Sequence, residues 1–146
     1  MGELVVEKIE NGTVIDHIPA GMGLKVLNIL GVAPGMKVAL LMNVPSKRVG
    51  KKDIAKISGK QLDEKEVNKI AVIAPNATLN IIKNSSVVEK SEVRLPKMLA
   101  GVCACPNPKC ITRAEKILET KFAQDGKGRF RCAYCEMLFD ASELVI

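Results

Sequence analysis

The sequence predicts an α+β fold followed by a small all-β unit, and three observations carry that expectation. Short Val- and Ile-rich runs bounded by turn residues dominate the first hundred positions. Only two windows among them have helical character, one through its apolar spacing and one through its capping residues. The C-terminal third has no long periodic segment and instead holds four cysteines in two close pairs, Cys105 with Cys110 and Cys132 with Cys135.

Taken in order, residues 3–9 and 13–18 read as strands around Glu10-Asn11-Gly12, since Asn-Gly between two β-prone runs signals a hairpin or bulge. From about Met22 to Leu30, the side chains Leu24, Leu27 (with Val26) and Leu30 recur at helical spacing; Gly31 stops the helix and Pro34-Gly35 turns the chain. Residues 37–44 read as a buried strand closed by Pro45-Ser46. The basic loop 47–52 then leads into a strand at 53–57. Side chains alternate along a strand, so Lys52, Ile54 and Lys56 share a face, with the lysine Cα atoms about 13 Å apart. Two ammonium groups so placed can flank one elongated anion. Asp63 and Glu66 form a capping box that opens a short helix carrying Val67 and Ile70. Residues 71–74 and 78–83 read as strands, and Asn84-Ser85-Ser86 turns into a last strand at 87–90. The order ββαββαβββ, with short connections, places both helices on one face of a mainly antiparallel sheet, a ferredoxin-like arrangement. Residues 91–97 lose periodicity and contain Pro96, so they read as a linker. The expected domains are 1–97 and 98–146.

In the tail, four residues separate Cys105 from Cys110, two separate Cys132 from Cys135, and 21 lie between the pairs. That is tetrathiolate zinc spacing, with sulfurs about 2.3 Å from the ion and no open coordination position, so the expected metal is structural. A segment of about 45 residues is too short for a self-sufficient core, and zinc supplies the missing stability. The unit reads as zinc-ribbon-like. Cys103 is the odd cysteine. It could replace Cys105, but 106–109 gives the Cys105 and Cys110 pair its turn, and Cys103 reads as a small buried residue of the entering strand. Phe122, Phe130, Tyr134 and Phe139 are the expected core around the metal, with Asn107 and Glu136 displayed on the two cysteine turns. A disulfide scaffold is disfavoured because 1–4 lead directly into amphipathic sequence with nothing secretory about it.

The net charge of +6 belongs to the N-terminal part: residues 1–97 carry 15 Lys and Arg against 10 Asp and Glu, and 98–146 carry 7 against 6. An anionic ligand such as a nucleotide suits the first part, as does a merely solvated lysine surface. A zinc unit without basic excess, and aromatics at 3%, weigh against nucleic-acid binding. The longest apolar runs fall far short of the ~20 residues of a membrane span, and a cytoplasmic, soluble chain is expected. His17, the single histidine, follows Asp16, but adjacent strand residues point to opposite faces, which argues against an acid-base dyad. There is no nucleophile elbow, Walker loop or paired-carboxylate pattern, and Gly21-Met22-Gly23 lacks the rest of a dinucleotide fingerprint.

Five collinear stretches, 12–20, Asn43-Val44-Pro45-Ser46, 50–54, 74–80 and the cysteine quartet with Pro106-Asn107 and Ile111, resemble the regulatory chain of aspartate carbamoyltransferase. The resemblance implies a non-catalytic subunit of pyrimidine biosynthesis, whose N-terminal domain binds CTP and ATP in competition and whose zinc domain docks the catalytic chain. It implies that Val6, Asp16 and Lys56 address ribose and base, that Ile9 and Ile82 line the base pocket with Glu7 and Asn80 close by, and that His17, Lys52, Val87 and Lys90 lie towards the triphosphate. It implies zinc on Cys105, Cys110, Cys132 and Cys135, and catalytic-chain contacts at Asn107, Lys109 and Glu136. It also implies a homodimer through the N-terminal domain and an assembly of six catalytic and six regulatory chains. Two positions depart from the family pattern: Ser85 replaces an aromatic residue near the base, and Lys109 replaces an asparagine at the interface. The competing readings are a zinc-ribbon nucleic-acid-binding protein, which predicts steeply salt-dependent binding, and an enzyme in its own right, for which one histidine and a closed metal site offer little.

Overall fold

The computed structural model describes residues 8–47 and 50–146. The expected strand at 3–9 falls outside them except for Lys8 and Ile9, as do Val6 and Glu7.

The first half builds β1 (Gly12–Pro19), α1 (Gly23–Leu30), β2 (Val38–Ser46), β3 (Gly50–Ser58), α2 (Glu64–Ile73), β4 (Thr78–Lys83) and β5 (Ser86–Glu92). They form one sheet in the order β2-β3-β1-β4-β5 with every neighbouring pair antiparallel. Since β1 and β2 are both antiparallel to the β3 between them, they run parallel to each other, and α1 supplies the crossover such strands require. α2 does the same for β3 and β4. Both helices pack on one sheet face: Val26 and Leu30 of α1 and Ile70 and Ala71 of α2 meet Ile15, Ile18, Ala55, Ile57 and Leu79 in a single core.

The helix ends follow their local chemistry. Gly31 adopts the left-handed conformation at φ 62° beyond α1. The Asp63 side chain accepts from the Glu66 N–H while the Glu66 side chain accepts from the Asp63 N–H, completing the expected box. At the β4–β5 turn, Asn84 and Ser85 sit at φ 50° and 65°, the primed turn that a two-residue hairpin needs.

Several expectations are corrected. Residues 71–73 continue α2 instead of starting a strand; Ala71 is fully buried and Val72 nearly so, because this last turn is covered on both sides. β2 is an edge strand, half-buried and not buried, and it continues through Pro45, which an edge tolerates because one row of its N–H groups has no ladder to join. β3 begins at Gly50, earlier than expected. Ser91 and Glu92 belong to β5, opposite Leu79 and Thr78, and the buried Val93 donates its N–H to the Ala77 carbonyl at 2.7 Å, so the irregular connection is shorter than 91–97.

The second half holds β6 (Met98–Ala100), α3 (Ile111–Ala114), β7 (Lys121–Gln124), β8 (Arg129–Cys132) and β9 (Leu138–Asp140) in a four-stranded antiparallel sheet, closed by a 3-10 turn at Ala141–Glu143. Leu99, Phe122, Phe130, Phe139 and Leu144 form its core. Tyr134 is not among them: it is exposed and its hydroxyl donates to the Glu119 carbonyl at 2.8 Å. Val72 of α2 belongs to this second core, and Ile73 and Leu95 touch both. The two halves are therefore joined along the last turn of α2.

Asp53 is the one fully buried acidic or basic side chain among the described residues. Its Oδ2 accepts from the N–H groups of Gly21 and Gly23, and its Oδ1 from that of Asn43, each at 2.9 Å. This is what Gly21-Met22-Gly23 is for. A Cβ at position 23 would lie 3.0 Å from Asp53 Oδ2 and 2.6 Å from the end of the Leu40 side chain, so glycine lets the start of α1 close onto the carboxylate with neither side chain displaced.

Candidate functional site

The cysteine quartet is assembled from two turns at one end of the C-terminal sheet. Cys132 ends β8 and Cys110 caps α3, while Cys105 follows Ala104, whose N–H donates to the Val145 carbonyl at 2.6 Å. The four sulfurs all lie within 4.8 Å of one another. Cys105 Sγ is 3.7 Å from Cys135 Sγ, and Cys110 Sγ is 3.8 Å from Cys132 Sγ. A divalent ion about 2.3 Å from each of four sulfurs needs them about 3.8 Å apart, so the quartet fits a tetrahedral metal and is too wide for disulfides. Burial pushes the Cys105 and Cys132 thiols up. It works the same way on Cys110, but there the Thr112 hydroxyl and N–H outweigh it and bring the thiol down to about 7.

The turns that present the sulfurs are tied from below. The Cys110 N–H donates to the Asn107 carbonyl at 3.1 Å, the Glu136 N–H to the Cys132 carbonyl at 2.9 Å, and Arg113 Nη1 to the Cys105 carbonyl at 3.0 Å. Asn107 Oδ1 accepts from the Lys109 N–H at 3.0 Å, an Asx turn. Lys109 and Glu136 are exposed on these turns and Asn107 is half-buried; Glu136 takes φ 64°, the left-handed step after the second cysteine pair. Cys103 lies beyond β6 in irregular chain, is buried outside the quartet, and has a thiol pushed up to about 12 by burial and then by Cys132. Thr112 and Arg113 were not anticipated, although a hydroxyl two residues after a cysteine at a helix start is a readable signal.

The second constellation lies on the sheet face opposite the helices, and strand register assembles it. Lys56 stands opposite Val14, Val14 opposite Asn80, and Asn80 opposite Lys90, one cross-strand row running over four strands. At about 4.8 Å per strand, the two lysine Cα atoms are about 14 Å apart. Towards one end, Ile82 faces Gly12 on one side and Val87 on the other. Ile82 is buried yet belongs to neither core. A cavity of about 450 Å³ lies on the β2–β3 side of the sheet, lined by Ile9, Ala39, Lys56 and Ser58 and not by Ile82 or Val87.

At the other end β1 carries a bulge: Ile15 pairs with Ala55 and Ile18 with Asp53, so Asp16 and His17 together oppose Ile54. The expectation that these two neighbours point to opposite faces is thereby corrected; with Ile15 and Ile18 both in the core, the bulge turns Asp16 and His17 to the open face, His17 at φ 57°. They still form no dyad. His17 Nδ1 lies 3.0 Å from Thr78 Oγ1, whereas Asp16 Oδ1 accepts the His17 N–H at 2.6 Å. Lys52 Nζ reaches Asp16 Oδ1 at 2.9 Å and Oδ2 at 3.2 Å. Thr78 escaped notice because one buried threonine in a strand has no sequence signature.

Burial raises the Asp16 carboxyl, but Lys52 and the His17 N–H overcome that and hold it below the ordinary carboxylate value. A group depressed in the folded state stabilises above its unfolded pKa of about 3.9 and loses that contribution as pH falls through its folded value. Asp16→Asn is accordingly expected to flatten the acid limb of stability below about pH 4. Thermal midpoints between pH 5 and 2.5 test this, and parallel limbs for the two proteins would refute it.

None of the helices among the described residues is long and apolar enough to cross a membrane. The family profile described as "Aspartate carbamoyltransferase regulatory chain, allosteric domain" matches residues 4–94, and that described as "Aspartate carbamoyltransferase regulatory chain, metal binding domain" matches 97–145. Curated relatives named as aspartate carbamoyltransferase regulatory chains include that of Pyrococcus horikoshii, 52% identical over 99% of this chain and 98% of its own length. The relative from Pyrococcus furiosus is 51% identical over the same shares. That of Sulfolobus acidocaldarius is 47% identical over 98% of this chain and 90% of its own.

Proposed function

The chain belongs to the family of aspartate carbamoyltransferase regulatory chains, and on that premise we propose that its open sheet face binds CTP and ATP to modulate a catalytic chain held by its metal unit. It is a regulatory, non-catalytic subunit of pyrimidine biosynthesis, and the nucleic-acid reading of the cysteines is set aside. The observation that carries the nucleotide assignment is the cross-strand row: Lys56 and Lys90 bracket Val14 and Asn80 over a span the length of a nucleotide.

Ile9 and Ile82 take the base, with Asn80 close by; Val6 and Glu7, which the resemblance adds to this group, lie outside the described residues. Val87, expected towards the triphosphate, stands opposite Ile82, and on that ground we assign it beside the base. Asp16 and Lys56 address the ribose, and His17, Lys52 and Lys90 the triphosphate, which then competes with Asp16 for the Lys52 ammonium. The metal is zinc, four cysteine thiolates leaving it no open position for chemistry. Division at 97 and 98 gives an effector domain and a docking domain. Asn107, whose Oδ1 is engaged in its own turn, would meet the catalytic chain through its amide N–H, with Lys109 and Glu136 alongside. The chain pairs with itself through the N-terminal domain, and six regulatory chains join six catalytic chains in the cytoplasm.

The decisive experiment follows the aspartate saturation curve of the assembled enzyme while CTP or ATP is titrated. A shift of the half-saturating aspartate concentration is expected, and a curve that does not move at saturating nucleotide refutes the reading. Lys90→Ala is expected to weaken both nucleotides about tenfold, the effect of losing one exposed charge-assisted contact, with metal content unchanged. Equal calorimetric affinities for the two proteins would remove Lys90 from the site.

A further inference from the structure

Lys52 and Asp53 are consecutive residues of β3 with side chains on opposite faces of the sheet, one among the groups assigned to the nucleotide and the other buried beneath the helices. From this juxtaposition we infer that Asp53 is a positioning residue that couples occupancy of the nucleotide face to α1, and through α1 to the metal unit. The inference rests on the nucleotide reading above.

The coupling has a physical path. Adjacent Cα atoms are fixed about 3.8 Å apart, so backbone movement at Lys52 carries the Asp53 side chain with it. In the structure the Lys52 ammonium is held by both oxygens of Asp16. A phosphate drawing that ammonium away redraws the contact that sets where Lys52 lies. On the other side of the sheet there is little slack. Both Asp53 oxygens are bonded at 2.9 Å, to Gly21 and Gly23 at the start of α1 and to Asn43 in the bulge of β2, where φ is 58°. The 2.6 Å separation between Leu40 Cδ1 and a Cβ placed on Gly23 shows how tightly this corner is filled. α1 shares its core with α2, and Val72 at the end of α2 lies in the core of the metal unit. A packed interior transmits a displacement of this kind instead of absorbing it. A carboxylate that only held the fold together would lower stability when altered and leave the response to bound nucleotide untouched.

The first test uses the unaltered chain in the complete enzyme. Hydrogen exchange across residues 20–24 and at Asn43 is measured with and without saturating CTP. At least a threefold change in exchange is expected at these amides, although they lie on the far side of the sheet from the nucleotide; unchanged exchange overturns the inference. The second test is Asp53→Asn, which keeps the shape but sets an amide N–H₂ against one of the three N–H donors. Calorimetric affinity for CTP is expected to stay within threefold, while the shift in half-saturating aspartate at saturating CTP shrinks at least threefold. A full shift at saturating nucleotide means that Asp53 serves the fold alone and overturns the inference. If the unaltered enzyme shows CTP binding but no shift, the regulatory reading fails and the inference with it; if it shows a shift that Asp53→Asn retains, only the inference fails.

Discussion

Replacing Cys132 by serine is expected to abolish metal binding and unfold the C-terminal sheet while the five-stranded sheet remains folded. Serine offers no thiolate, and an incomplete set of sulfurs leaves the others enclosed without the cation that justifies their charge. Structural zinc in zinc-finger peptides binds with about 10–16 kcal/mol of apparent free energy, which is also folding free energy, and a loss of that order is expected here. The core it supports is small: Leu99, Phe122, Phe130, Phe139 and Leu144, with Val72 lent by α2. Metal content is expected to fall from one ion per chain to under a tenth, the signals of 98–146 to lose their dispersion, and the catalytic chain to be released; a chelator or a mercurial should do the same to the unaltered assembly. Cys103→Ser is the matched control. Cys103 is also buried but lies outside the quartet, so this variant should keep its metal. The reverse pattern, metal lost with Cys103→Ser and kept with Cys105→Ser, would show that the ligand set has been misassigned.

What could be read in advance was whatever depends on neighbours in sequence. Gly31, the Asp63 and Glu66 box, the Asn84-Ser85 turn and the two cysteine pairs each act within a few residues, and each stands where its local chemistry puts it. The errors have a different origin. Residues 71–73 are a short apolar run, which suits a buried helix turn as well as a strand; the decision comes from Val72 having a second core to enter. β2 looked buried because its apolar residues are continuous, but its place at the sheet edge is fixed by β3 and β1 pairing with each other. Tyr134 carries an aromatic ring like the phenylalanines, yet the turn between Cys132 and Cys135 must stay at the surface to leave room for the sulfurs inside. The open face shows both sides of the matter. Alternation in β3 placed Lys52 and Lys56 together, whereas the convergence of Asp16 and His17 depends on a bulge that register alone reveals.

Asp53→Ala is expected to be the most damaging single change in the first sheet, and the reason lies in which partners it abandons. Among the described residues the substitution removes no ion pair; it strands three backbone donors. The Gly23 N–H is buried, and water cannot replace the lost oxygen there without entering the corner that Leu40 fills. The Gly21 and Asn43 N–H groups are nearer solvent and recover part of their loss. Bonds to a charged acceptor contribute about 1.5–3 kcal/mol each, and a buried unsatisfied donor costs about 1–3 kcal/mol, so about 3–5 kcal/mol is the expected sum after hydration of the two outer groups. For a chain of this length that corresponds to a fall of roughly 10–20 °C in the unfolding of the first sheet. The β2 bulge and the start of α1 should loosen together, because one side chain holds both. A thermal midpoint within about 3 °C of the unaltered chain, a loss of under about 1 kcal/mol, would mean that these amides find other acceptors. Gly23→Ala separates the two contributions to this corner, since it keeps the carboxylate but forces a methyl group against Asp53 Oδ2 and Leu40 Cδ1. If both variants lose stability and their double mutant loses less than the sum, the carboxylate and the glycine act as one unit, as their shared hydrogen bond requires.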